Sequence, residues 1–164
     1  MSRTMDPRQA EQLQALLKRG YACLSSGDLE GAGRCCREAL QIRQDLPPAH
    51  FLVGLVAQES KDRRTAFNAF QSVVKLDPEH GAAWAQLARL YMSEGQVNKA
   101  DAALRETLRI KPEDPLVLDL IGTTLSLMGE YDTARAFYTL ANDKRPDHPP
   151  FMQNLANNLS LIHI

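Results

Sequence analysis

Apolar side chains recur along this chain at helical spacing. Trp84, Leu87, Ala88 and Tyr91 stand at i, i+3, i+4 and i+7, which puts them on one face of an α-helix. Val53, Gly54 and Ala57 carry part of the same pattern, as do Ile121, Gly122 and Leu125. The whole chain reads as nine helices and no strands. The helices are also periodic among themselves: Ala32, Ala66, Ala100 and Ala134 lie 34 residues apart, and so do Pro78, Pro112 and Pro146. Gly20, Gly54, Ala88, Gly122 and Ala156 keep that period. Self-similarity at this spacing predicts stacked two-helix units, each covering the apolar face of its neighbour.

The frame divides the chain into repeats at 13–46, 47–80, 81–114 and 115–148, with a fifth beginning at 149. Residues 1–6 read as a flexible N-terminus, and 7–46 as a divergent first unit. Its leading helix is predicted to start near Asp6 and Pro7, a cap followed by a proline in the first turn. A small residue in each first helix and the alanine in each second helix let two backbones approach closely. Large residues such as Phe70 and Tyr138 fill the space between them. The prolines stop the second helices, since proline has no N–H and clashes with the preceding turn. Gly27, Gly95 and Gly129 allow the turn within each pair, and Asp28, Asp62 and Asp132 are the expected N-caps that follow. Three positions depart from the pattern: Arg19 stands where a leucine is expected, Gln44 where the closing proline belongs (Pro47 and Pro48 come late), and Lys61 at a turn glycine.

In the third repeat the pattern reads Trp84, Leu87, Ala88, Tyr91, Gly95, Ala100, Leu104 and Pro112. In the fourth it reads Ile121, Gly122, Leu125, Gly129, Tyr131, Ala134, Tyr138, Ala141 and Pro146. At these residues the chain resembles the tetratricopeptide-repeat (TPR) family over nearly its whole length. The resemblance implies an all-α fold, a right-handed α–α superhelix or TPR solenoid, in which first helices line a concave face. It also implies where a ligand would sit. The ligand-facing positions carry over to Tyr21 in the first repeat, Phe51 and Leu55 in the second, Arg89 and Met92 in the third, and Asp119 and Thr123 in the fourth. Leu17, Leu24, Leu116 and Leu127 occupy further such positions. The lysine, asparagine and arginine clamp of chaperone-binding TPRs is replaced by Leu17, Tyr21, Leu52, Ala82 and Gln86, so a chaperone tail is not the expected ligand. An apolar groove suits an extended or helical segment with hydrophobic anchors.

The formal charge of −1 over 164 residues gives no field that would gather nucleic acid or an anionic membrane surface. No apolar run reaches the ~20 residues that span a bilayer, and the polar start of the chain lacks a signal core. A cytoplasmic location follows as the expectation. Cys23, Cys35 and Cys36 form neither a disulfide framework nor a zinc spacing; they read as small buried thiols.

No catalytic apparatus, metal site or cofactor is expected. His80 and His148 share one repeat position and lie a full repeat apart, too far to share a metal. His50 takes the place that Trp84 holds one repeat later, and reads as a packed side chain. His163 lies at the end of the chain. Gly31, Ala32 and Gly33 hint at a phosphate loop, but no strand precedes them and no third glycine follows.

The segment from 149 matches a first helix through Phe151, Met152, Leu155, Ala156 and Leu159, and its partner helix is absent, so the chain reads as truncated within a repeat. Residues 159–164 are what the transposase adapter CTGTCTCTTATACACATC encodes in one frame. They read as adapter-derived, with a natural helix end like that at 125–130 as the alternative. The bare apolar face of this last helix suggests self-association.

Two functions follow. One is an adaptor or scaffold that binds a protein or peptide segment. The other is the N-terminal region of a larger enzyme: AHFLVGLVAQ, AAWAQLARLYMSEGQ and PPFMQNLANNL resemble the repeat region of bacterial sulfotransferase-like proteins. There a separate catalytic domain uses phosphoadenosine phosphosulfate.

Overall fold

The computed structural model describes residues 4–162. Its helices are α1 (Pro7–Ser26), α2 (Leu29–Ile42), α3 (Pro47–Glu59), α4 (Arg63–Leu76), α5 (Gly81–Ser93), α6 (Val97–Arg109), α7 (Pro115–Leu127), α8 (Tyr131–Lys144) and α9 (Pro149–Ile162). Among the described residues there is no strand. Two compact units divide the chain, Met1–Pro78 and Glu79–Ile164. In the first, α1 pairs with α2 and α3 with α4, and α3 also packs on α1 and α2. In the second, α5 pairs with α6 and α7 with α8, α7 packs on α5, and α9 lies against α8 and α7.

One turn is built four times. In the first, the N–H of Asp28 donates to the Cys23 carbonyl at 2.8 Å and that of Gly27 to Leu24 at 3.1 Å. The same pair of bonds joins Asp62 to Ala57 and Lys61 to Gln58, Gln96 to Tyr91 and Gly95 to Met92, and Glu130 to Leu125 and Gly129 to Ser126. These bonds satisfy carbonyls that a helix end leaves without intrahelical partners. They require one residue in the left-handed region, which is Gly27 (φ 83°), Gly95 (φ 73°), Gly129 (φ 84°) and, in the second repeat, Lys61 (φ 64°).

The residue after the left-handed one is the N-cap of the next helix. Asp28 accepts from the Gly31 N–H and Asp62 from that of Thr65. In the fourth repeat this register makes Glu130 the N-cap, without a side-chain capping bond. The expectation for Asp132 is therefore corrected. It lies inside the first turn of α8, where its charge favours the helix N-terminus and Arg135 approaches to 4.0 Å.

Ala32, Ala66, Ala100 and Ala134 are all fully buried. Each is the fourth residue of its helix, so the second helices enter their pairs in one register. Across the pair, size is matched. A Cβ added to Gly54 would lie 2.5 Å from the Phe70 ring, and one added to Gly122 would lie 2.8 Å from the Tyr138 ring. At the equivalent places α5 and α6 carry Ala88 and Leu104, both buried. In these two repeats an aromatic ring therefore faces glycine, and in the third the smaller leucine occupies the place where its counterpart is alanine.

The first unit adds a cluster of Leu13, Leu16, Ala39 and Ala49, against which Met5, Leu17 and Leu46 pack. Asp6 accepts from the Arg8 N–H at 3.1 Å and caps α1. Arg19 is exposed, where its counterparts Leu87 and Ile121 are buried. The helix α2 ends at Ile42 without a proline; Arg43 turns extended (φ −148°) and its guanidinium holds Asp45 at 2.8 Å.

In the second unit Phe151 anchors α9 against Leu118 and Ala141. Ala156 is exposed, unlike its counterparts Ala88 and Gly122, because only α7 and α8 pack on α9 among the described residues. Residues 159–162 of the suspected adapter segment continue α9; His163 and Ile164 lie outside the described residues, as do residues 1–3.

Two stability measurements follow. Lys61→Gly is expected to stabilise the fold by about 0.5–1 kcal/mol, since a side chain in the left-handed region costs ~1–2 kcal/mol and glycine's looser unfolded state returns part of it. Urea unfolding should show a higher midpoint; an unchanged or lower one would show that Lys61 sits there without strain. Gly54→Ala is expected to cost about 1–3 kcal/mol by overpacking. Adding Phe70→Leu, which recreates the alanine and leucine combination of α5 and α6, should recover part of that cost in a double-mutant cycle. Simple additivity would rule out size matching as the cause.

Candidate functional site

In the first unit, Tyr21 on α1 and Phe51 and Leu55 on α3 belong to helices that pack on each other. Tyr21 is 39% exposed. Partial burial, and to a lesser degree the nearby Cys36, pushes its phenol above the ordinary value. Phe51 and Leu55 are one turn apart and half-buried. The Phe51 ring packs on Phe70 with centroids 5.5 Å apart and planes tilted by 57°. Part of Phe51 thus belongs to the α3–α4 contact, and Leu17 belongs to the cluster around Leu13. Neither was separable from a ligand contact by sequence position.

In the second unit, Arg89 and Met92 are half-buried on α5, and Asp119 and Thr123 half-buried on α7. The Asn154 amide of α9 donates to both Asp119 carboxylate oxygens at 3.0 Å. Burial raises the Asp119 pKa, while the Asn154 bond and the charge of His148 act in the opposite sense. Thr123 donates to the Asp119 carbonyl at 3.0 Å and accepts from the Tyr138 hydroxyl at 3.4 Å; that hydroxyl also lies 3.3 Å from Ser126. Thr123 is therefore committed to a hydroxyl chain within the α7–α8 pair. Leu116 and Leu127, at the two ends of α7, are 54% and 55% exposed. Asn154 escaped the sequence reading because its place in the repeat is one beyond that of Asp119, and no ligand-facing position falls there.

The histidines have structural contacts. The His50 ring lies 2.7 Å from the Gln44 carbonyl, and His80 accepts from the Ala83 N–H at 3.1 Å and caps α5. His148 packs on Phe151 with ring centroids 4.2 Å apart. Among the described residues no group of three histidine, cysteine or acidic side chains could hold a metal ion. The three cysteines are free thiols. Burial, with the neighbouring Cys35, pushes Cys36 up to about 11, so it stays protonated at neutral pH. No described helix is long and apolar enough to cross a membrane.

Models of the tetratricopeptide repeat match residues 13–46 and 57–122. The chain is 26% identical over 156 residues to the tetratricopeptide repeat-containing protein trd-1 of Caenorhabditis elegans, covering 94% of this chain and 20% of that protein. It is 28% identical over 109 residues to the cellulose synthase operon protein C of Pseudomonas fluorescens, covering 66% of this chain and 8% of that protein. The chain thus spans a fifth or less of the length of these relatives. Among solved structures, pilF of Pseudomonas aeruginosa superposes with a TM-score of 0.75 at 18% identity, covering 94% of this chain and 71% of that chain. With its nine described helices and fourfold turn, and with these repeat models in the same stretches, the chain belongs to the tetratricopeptide-repeat family, with an all-α TPR solenoid fold.

Proposed function

We propose that this chain is a protein-interaction module, an adaptor or scaffold, whose first helices hold a peptide or protein segment of a partner. TPR repeats generally mediate contacts between proteins, which supports the class of function. The observation that carries the finer reading is the partial exposure of the residues at ligand-facing positions. Tyr21, Phe51 and Leu55 offer apolar surface in the first unit. Arg89, Met92 and Asp119 offer mixed surface in the second. Half-buried apolar side chains are held in one rotamer by their neighbours, so a ligand gains contact area at little entropic cost. The likeness to sulfotransferase-like proteins rests on three short stretches alone, and neither relative above bears that name.

Self-association belongs to the same proposal. Met152, outside the 159–164 segment, is exposed on α9, and exposed apolar surface of this kind favours a symmetric pair. Light scattering of the concentrated protein is expected to report a dimer, and a strict monomer would remove this part.

The ligand-facing surface of each unit is tested with peptides selected from a displayed library and measured by fluorescence polarisation. Leu55→Ala and Met92→Ala are the appropriate variants, because Phe51→Ala would also loosen α3 from α4. Each is expected to weaken binding about tenfold, equivalent to about 1.4 kcal/mol, with helicity unchanged by circular dichroism. Undiminished affinity in both variants would remove the groove assignment.

A further inference from the structure

Within the first unit, α2, α3 and the start of α4 line an open cleft of about 370 Å³. That volume falls in the ~300–1,000 Å³ range of sites that bind small organic groups. Its floor is apolar, formed by Leu40, Val53, Val56 and Ala57. On α3, Val53 and Val56 point roughly away from Phe51 and Leu55, since successive residues turn about 100°. The cleft is therefore separate from the proposed groove.

Arg37 stands at the edge of this cleft and is exposed. Its guanidinium lies over Gly33, where an added Cβ would be 3.5 Å from Nη1. Among the described residues, no carboxylate lies within ion-pair distance of Arg37, whereas Arg34 pairs with Glu30 and Arg43 with Asp45. The Asp62 carboxylate, which also lines the cleft, is engaged as a cap, accepting from the Thr65 N–H at 3.1 Å and the Thr65 hydroxyl at 2.6 Å.

The second unit contains the same cleft two repeats on, with a volume of about 450 Å³. There Arg105 takes the place of Arg37, but Asp101 takes the place of Gly33. The two form an ion pair at 2.9 Å. One repeat position thus decides whether the guanidinium at the cleft is neutralised from within its own helix. In the first unit it is left available to a ligand.

We propose that the α2–α3 cleft is a second protein-docking site, which takes an apolar side chain of a partner segment while Arg37 pairs with a carboxylate carried beside it. The occupant is an acidic–apolar peptide segment. Charge complementarity supplies the acid, and the floor supplies the apolar anchor. Arg37, Ser60, Asp62 and Thr65 are all exposed around the cleft. Such an open rim admits a side chain projecting from a polypeptide, whereas sites for free small molecules enclose most of the ligand.

The test uses the full chain and two blocked tetrapeptides, one of glycine, phenylalanine, aspartate and glycine, the other with asparagine for aspartate. Methyl NMR at low salt follows Val53 and Val56. The aspartate peptide is expected to shift both, with millimolar affinity about threefold tighter than that of the asparagine peptide, the scale of an exposed ion pair. Arg37→Gln should abolish the preference. So should Gly33→Asp, which fits the space and restores the pairing of Asp101 with Arg105 while leaving the apolar floor intact. Leu104 and Leu125 in the second unit, where Asp101 already pairs with Arg105, should show no preference between the two peptides.

Equal affinity for the two peptides, absence of any shift, or a preference that survives Gly33→Asp would overturn the proposal. So would an equal preference for the aspartate peptide at Leu104 and Leu125. Tighter binding of 3-phenylpropionate than of the aspartate peptide would overturn the choice of a polypeptide occupant.

Discussion

The fold depends on how closely the two helices of a repeat can approach. In the second and fourth repeats the first helix presents glycine and the second an aromatic ring: Gly54 faces Phe70 and Gly122 faces Tyr138, whereas Gly20 in the first repeat meets Leu52 and Cys35. Protein interiors are packed too densely to absorb an extra methyl group at 2.5 Å without displacement. Because the same places recur every 34 residues, one local solution is reused, and the frame alanines of the second helices are all fully buried. The turn is reused as well. Its two carbonyl bonds recur with the same spacing in all four repeats, even where Lys61 must enter the left-handed region.

This economy leaves the remaining helix faces free to differ. The first helices put apolar residues at Tyr21, Phe51 and Leu55 but polar ones at Asp119 and Thr123. A residue at such a position can serve a ligand or the fold, and here the two uses are mixed. The Phe51 ring packs tilted against Phe70. Thr123 is held by Tyr138, and Asp119 by Asn154. Polar groups that are partly buried need partners, and those partners come from the next helices within the same unit.

The second helices show the same divergence in charge. Arg37 and Arg105 are equivalent in the repeat, and each lines a cleft beside the following first helix. A carboxylate one helical turn earlier neutralises Arg105, and a glycine in that place leaves Arg37 unpaired. On a helix surface, side chains four residues apart are neighbours. A single repeat position therefore decides whether the arginine beside a cleft has an ion-pair partner on its own helix.

The sequence by itself determined the architecture: helical period, repeat length, turn glycines and stopping prolines each act over a few residues, and together they specify two-helix units. The same local logic located Asp28 and Asp62 as caps. It misplaced the cap of α8, because Asp132 looks suitable by composition while the left-handed Gly129 sets the register at Glu130. What only the tertiary structure decided is which side chains remain available. Whether Phe51 faces a ring, whether Asp119 meets Asn154, and whether Arg37 has a partner depend on atoms from other helices or other turns brought within a few ångströms. Periodicity fixes the direction in which a side chain leaves its helix, but not what it meets there.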